Sequence, residues 1–148
     1  MEKPFVLLAE DNDATCTLIQ ALLRNEFVVD IARDGLQAIE KLKSRHYAAI
    51  VLDLRMPIAD GFAVLDFMAA ERADLMSRAL VVTASLSPRE LERVSQYPVA
   101  GVIRKPFEVD VLQNAVRRCA QPHGEPHFRA PLLSGSMLLL LADLLRRV

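Results

Sequence analysis

Short apolar runs alternate along this chain with stretches whose apolar residues recur at helical spacing. Phe5-Val6-Leu7-Leu8-Ala9, Val28-Val29-Asp30-Ile31, Ala48-Ala49-Ile50-Val51-Leu52, Ala79-Leu80-Val81-Val82 and Ala100-Gly101-Val102-Ile103 read as five buried strands. Between them the period lengthens to that of a helix. Leu18, Ile19, Leu22 and Leu23 are expected to share one sheet-facing side, as are Leu36, Ile39 and Leu42, then Phe62, Leu65 and Met68. Leu91 and Val94 mark a fourth helix, and Val109, Leu112, Val116 and Cys119 a fifth. The punctuation agrees: Asp13 opens the first helix, Asp34-Gly35 turns into the second, and Ser87-Pro88 places a proline in a first turn.

Strict strand-helix alternation requires parallel strands, and right-handed crossovers place helices on both faces. The expectation is a doubly wound α/β domain over residues 1–120. Residues 121–131, which include Gln121-Pro122-His123-Gly124-Glu125-Pro126, have linker composition, and residues 132–148 are expected to be a Leu-rich helical tail too short to fold alone. With 148 residues, one domain plus an appendage is the natural size. Hydrophobic residues make up 52% of the chain, aromatic residues 5%, and Trp is absent, so Val, Leu, Ile and Ala must build the core, as suits parallel strands.

A formal charge of −1 argues against general attraction to nucleic acid or acidic lipid. Cys16 and Cys119 both fall on apolar helix sides, which fits buried free thiols in a reducing cytosol better than a disulfide. Glu2 and Pro4 break any signal-peptide pattern, and the apolar run from Met137 to Ala142 stops at Asp143, too short to span a bilayer. A cytoplasmic protein is expected.

Ligands of open parallel sheets bind beyond the carboxyl ends of the strands. Glu10 and Asp11 follow the first strand, Asp53 the third, Thr83 the fourth and Lys105 the fifth, so five polar side chains should converge there. Clustered carboxylates repel one another unless a hard cation sits among them, and few-ligand, water-retaining binding is the habit of Mg2+. A strand-end Asp can act as a nucleophile toward phosphorus. Lys105 and the metal would then hold the phosphoryl oxygens while the Thr83 hydroxyl donates a hydrogen bond.

Glu10-Asp11 after Val6-Leu7-Leu8-Ala9, Leu52-Asp53-Leu54-Arg55-Met56-Pro57 with Gly61, Val82-Thr83-Ala84, and Arg104-Lys105-Pro106-Phe107 occur in the order found in a known family. Over residues 4–120 the chain resembles the receiver domain of bacterial two-component response regulators, of the single-domain chemotaxis type. The resemblance implies a flavodoxin-like sheet in the order 2-1-3-4-5. It implies that Asp53 accepts a phosphoryl group from a histidine kinase or phosphotransfer protein, and that Asp11 binds Mg2+ directly. Glu10 would reach the metal through water, and the Arg55 main-chain carbonyl would be a further ligand. Lys105 would contact the phosphoryl group, Thr83 would swing toward it, and the bond before Pro106 would be cis. One position departs from the pattern: Val102 stands where the family usually carries Tyr or Phe, which puts the usual switch route in doubt. Arg55 and Ala84 lie where side chains tune phosphoryl lifetime. The protein would be a phosphoacceptor rather than a turnover enzyme, acting on an unknown protein target.

Taken singly, each motif has a plainer meaning. Asp11 and Asp13 suit helix caps, Thr83 suits a strand, and Lys105 suits solvent. His123 and His127 sit among prolines and read as solvated linker residues rather than a metal pair, and His46 as a surface residue. The Leu-rich tail calls for cover by its own domain or by a second copy in a homodimer, then by a partner protein, with a membrane surface last. Among alternatives, a receiver-like interaction module that no longer uses phosphate is distinguished by loss of Mg2+ affinity. A haloacid dehalogenase-type phosphatase wants a second Asp where Arg55 stands, and a flavodoxin would not meet phosphate with Glu10-Asp11-Asn12-Asp13.

Overall fold

The computed structural model describes residues 2–84 and 86–121. The strands are β1 (Phe5–Ala9), β2 (Val28–Ala32), β3 (Ala49–Leu52), β4 (Ala79–Thr83) and β5 (Gly101–Arg104). They alternate with helices α1 (Asp13–Leu23), α2 (Gly35–Ser44), α3 (Gly61–Glu71), α4 (Pro88–Ser95) and α5 (Val109–Ala120), with a 3-10 segment Ala73–Arg78 before β4. All pairings are parallel and the order is β2-β1-β3-β4-β5. The expected winding and strand order are both present; the linker and tail lie outside the described residues.

Alternation along each strand divides the core in two. Leu7, Ala9, Ile50, Leu52, Ala79, Val81 and Val102 face α2, α3 and α4. Val6, Leu8, Ala49, Val51, Leu80, Val82 and Ile103 face α1 and α5, whose contribution includes the buried cysteines Cys16 and Cys119. As the expected order requires, β2 is an edge, but it is not the buried strand expected: Val28 is exposed and only Ala32 is fully buried.

On three helices one expected core position is exposed instead, while the rest of each expected face is buried or packed on the core. On α1 the buried stripe is Cys16, Ile19 and Leu23, and Leu18 is exposed. On α2 it is Ala38 and Leu42, with Leu36 exposed, and on α5 Val109 is exposed while Ala115 joins Leu112, Val116 and Cys119. In α2 and α5 a small alanine, Ala38 and Ala115, is among the buried residues. The cap of α1 is Asn12, whose side chain accepts from the Thr15 amide, rather than Asp13. Asp34, Asp60 and Ser87 cap α2, α3 and α4 in the same manner.

β3 is joined to α3 by a tight loop. Gly61 donates its amide to the Leu54 carbonyl at 2.9 Å. A Cβ at Gly61 would lie 2.4 Å from the Asp53 carbonyl oxygen and 2.6 Å from Leu54 Cα. Both are backbone atoms of a buried strand end, so neither yields as a side chain would. Gly61→Ala is expected to destabilise the fold by about 1–3 kcal/mol through overpacking. Urea unfolding measures this as a lowered midpoint at unchanged slope; an unchanged midpoint would mean that the loop relaxes without cost.

Candidate functional site

The ladder continues for one residue beyond three of the strand ends, and this sets the site. Glu10 donates its amide to the Ala32 carbonyl at 2.9 Å, Asp53 to Ala9 at 3.0 Å, and Lys105 to Thr83 at 2.8 Å. Each residue is therefore pinned to the neighbouring strand before its side chain is placed.

Glu10 and Asp53 are buried and Asp11 is exposed. Their carboxylate oxygens nevertheless come within 4.8 Å of one another. Lys105 Nζ bridges the two buried acids, donating to Glu10 Oε2 at 2.6 Å and Asp53 Oδ2 at 3.1 Å. The other oxygens accept from main chain, Glu10 Oε1 from the Asn12 amide at 3.1 Å and Asp53 Oδ1 from the Arg55 amide at 3.2 Å. Burial pushes the Glu10 carboxyl above its ordinary value, and the Asp53 charge adds to that push, while the bond from Lys105 opposes it. Burial works to lower the Lys105 ammonium, but the bond to Glu10 and the charge of Asp53 prevail and hold it above its ordinary value. One cation among three carboxylates leaves the cluster short of positive charge, and oxygen donors in this number suit a hard divalent cation.

Thr83 is fully buried at the end of β4, and its hydroxyl finds no hydrogen-bond partner among the described residues. Such an orphaned hydroxyl is uncommon and calls for a ligand to complete it. The peptide bond between Lys105 and Pro106 is cis.

A family model described as the response regulator receiver domain matches residues 6–117. The chain belongs to the response regulator receiver family. Among curated relatives, the Sensor protein EvgS of Escherichia coli (strain K12) is 29% identical over 130 residues, which is 86% of this chain and 11% of that protein. The Transcriptional regulatory protein TctD of Salmonella typhimurium (strain LT2) is 34% identical over 113 residues, 76% of this chain and 50% of that protein. The chain thus spans half or less of these relatives' length. Among solved structures, the receiver domain of sensor histidine kinase PA1611 from Pseudomonas aeruginosa PAO1, with a magnesium ion in its active-site cleft, superposes with a TM-score of 0.72 at 28% identity. That match covers 80% of this chain and 98% of the other. The non-phosphorylated HemR receiver domain from Leptospira biflexa gives 0.72 at 28% identity, covering 84% and 99%.

This receiver brings Glu10, Asp11, Asp53 and Lys105 together, with Thr83 on the strand between those of Asp53 and Lys105. Val102 is buried against the α4 side of the sheet, in the same cluster as Leu91 and Val94. Two features were not anticipated. Arg55 reaches Glu90 in the first turn of α4, Nη2 to Oε1 at 2.8 Å; the Ser87-x-x-Glu90 spacing signals a capping box but says nothing of a partner from another loop. Ile58, in the loop after Asp53, has φ 69° and is 80% exposed, a left-handed conformation that β-branched residues rarely adopt.

Proposed function

We propose that this receiver accepts a phosphoryl group on Asp53 from the phosphohistidine of a sensor histidine kinase or phosphotransfer protein, and that the modified state changes which protein it docks to. Glu10, Asp11, Asp53 and the Arg55 main-chain carbonyl would hold Mg2+. The observation that carries the reading is the Lys105 ammonium bridging Glu10 and Asp53, at 2.6 and 3.1 Å, inside a cluster of three acids. A structural ion pair needs one acid, and burying more without compensation is costly.

An Asp53 carboxylate oxygen forms the new bond to phosphorus as the bond from phosphorus to the donor's imidazole nitrogen breaks; that nitrogen keeps the electron pair and takes a proton from water. Lys105 transfers its hydrogen bonds to phosphoryl oxygens. Thr83 donates its unsatisfied hydroxyl to another. When bound, Mg2+ supplies charge that offsets the carboxylates and the incoming phosphoryl oxygens. Attack of water on phosphorus breaks the bond to the Asp53 oxygen, returns the carboxylate and releases inorganic phosphate; the protein acts as a phosphoacceptor whose modified state carries the signal, not as a turnover enzyme. Among the described residues no helix is long and apolar enough to cross a membrane, and the cytoplasm is the compartment that supplies such donors.

Incubation with acetyl phosphate and Mg2+ is expected to add one phosphoryl mass to the intact protein, and omission of Mg2+ to prevent it. No adduct under either condition would overturn the reading. Mg2+ alone should also stabilise the fold, because it binds the native cluster and not the unfolded chain; at a hundredfold excess over Kd the gain is about 2.7 kcal/mol. Thermal unfolding with Mg2+ against a chelator checks this, and Asp11→Asn should reduce the shift. A midpoint indifferent to Mg2+ would favour the phosphate-independent interaction module, which Val102 in place of the usual aromatic otherwise suits.

A further inference from the structure

The phosphoacceptor and α4 share one residue. Arg55 gives its amide to Asp53 Oδ1 and its guanidinium to Glu90, which lies in the first turn of α4. Glu90 Oε1 also accepts from the Ser87 hydroxyl at 3.2 Å, and Ser87 Oγ in turn accepts from the Glu90 amide at 3.1 Å, so the pair is built into the start of the helix. The far end of α4 is tied differently. Arg93 stands 4.0 Å from the Phe62 ring centroid and 3.6 Å from Asp66 of α3, and the Tyr97 hydroxyl donates to Asp66. Between these two attachments, Leu91 and Val94 rest in the cluster that contains Val102, a side chain without the reach of an aromatic ring.

We infer that Arg55 is a charge-sensitive latch on α4, held on Glu90 while Asp53 is unmodified and drawn to the phosphoryl group when Asp53 carries one. The inference rests on the phosphoacceptor reading above. A phosphoryl group brings nearly two negative charges and several acceptor oxygens to a position two residues from Arg55. Glu90 offers one negative charge. The pair is partly solvated, with side-chain exposures of 60% and 27%, so it is weak enough to be exchanged for a stronger partner. Release frees the first turn of α4 while the Arg93–Tyr97 clamp keeps its last turn on α3, which makes the helix pivot rather than detach. Coupling by this route needs no large ring at residue 102.

The test combines intact mass with hydrogen exchange of the α4 amides in the full chain, with and without acetyl phosphate and Mg2+. In wild type, formation of the adduct should raise exchange at Leu91–Val94 about two- to fivefold, the range set by a solvated ion pair. Unmodified Arg55→Ala and Glu90→Gln should already show the raised exchange, and phosphorylation should add nothing further. Arg55→Ala leaves the Ser87 cap untouched and Gln retains the capping reach, so agreement between the two isolates the ion pair from the cap. Glu90→Gln should also speed adduct formation about two- to fivefold, since the guanidinium no longer has to leave a carboxylate to meet the incoming anion, an effect that a merely structural pair would not have. An adduct that forms normally while α4 in Arg55→Ala responds to it as in wild type overturns the latch alone. Absence of any adduct in wild type overturns the phosphoacceptor reading and the latch with it.

Discussion

Asp53→Asn is expected to abolish the phosphoryl adduct completely while the protein remains folded. Asn has nearly the size and shape of Asp, and the backbone that places residue 53 is fixed independently of the side chain by its amide bond to Ala9 at 3.0 Å. What changes is the nucleophile. A carboxylate oxygen carries the electron pair and charge that attack phosphorus, whereas an amide oxygen is neutral and its electrons are delocalised onto nitrogen. Neither Glu10 nor Asp11 can take over. Glu10 is committed to Lys105 at 2.6 Å and to the Asn12 amide at 3.1 Å, and Asp11 is open to solvent on the loop. The measurement is intact mass after acetyl phosphate and Mg2+, followed by peptide mapping. An adduct that persists in Asp53→Asn would place the acceptor elsewhere.

Lys105→Ala is expected to slow adduct formation by about 10²–10³-fold, the loss typical when one preorganised donor is removed from developing negative charge. Lys105 is the only side-chain cation that the ion-pair geometry places on the three-acid cluster among the described residues. Its removal should show separately in the stability of the metal-free protein. The Glu10 carboxyl is held above its ordinary 4.5 chiefly by burial, against the lowering effect of its bond from Lys105. A group whose folded pKa is raised contributes stability below its unfolded pKa, and that contribution is lost as pH rises through the folded pKa. Without Lys105 the Glu10 pKa climbs further, so stability of the variant in chelator should fall more steeply than wild type as pH rises from about 4.5 toward neutrality. Stopped-flow or quench measurement of adduct formation checks the first effect and urea midpoints across that pH range the second. A rate within a few-fold of wild type would remove Lys105 from the transfer step.

Much of the architecture was legible along the chain because it depends on local alternation. Five apolar runs with helical spacing between them leave little choice but a parallel sheet covered on both faces, and strand-end Glu10, Asp53, Thr83 and Lys105 follow directly from that winding. Helix faces were less legible. Leu18, Leu36 and Val109 look like core by residue type yet are exposed, whereas Cys16, Ala38 and Ala115 are buried, because which side of a helix meets the sheet is set by the angle at which it docks and not by residue type alone. The Asn12 cap was hidden behind Asp13, an equally good capping residue one position later.

By itself, then, the order of residues determined the alternation, the parallel winding and the polar strand ends, since each is written in near-neighbour spacing and the period of the backbone. Only the tertiary structure decided that Lys105 lies on Glu10 and Asp53, 95 and 52 residues away, and that the Thr83 hydroxyl meets no partner among the described residues. It alone joined Arg55 to Glu90 across 35 residues. These contacts depend on sheet order, loop path and the desolvation of particular atoms, and those come from the balance of many distant interactions rather than from any local pattern.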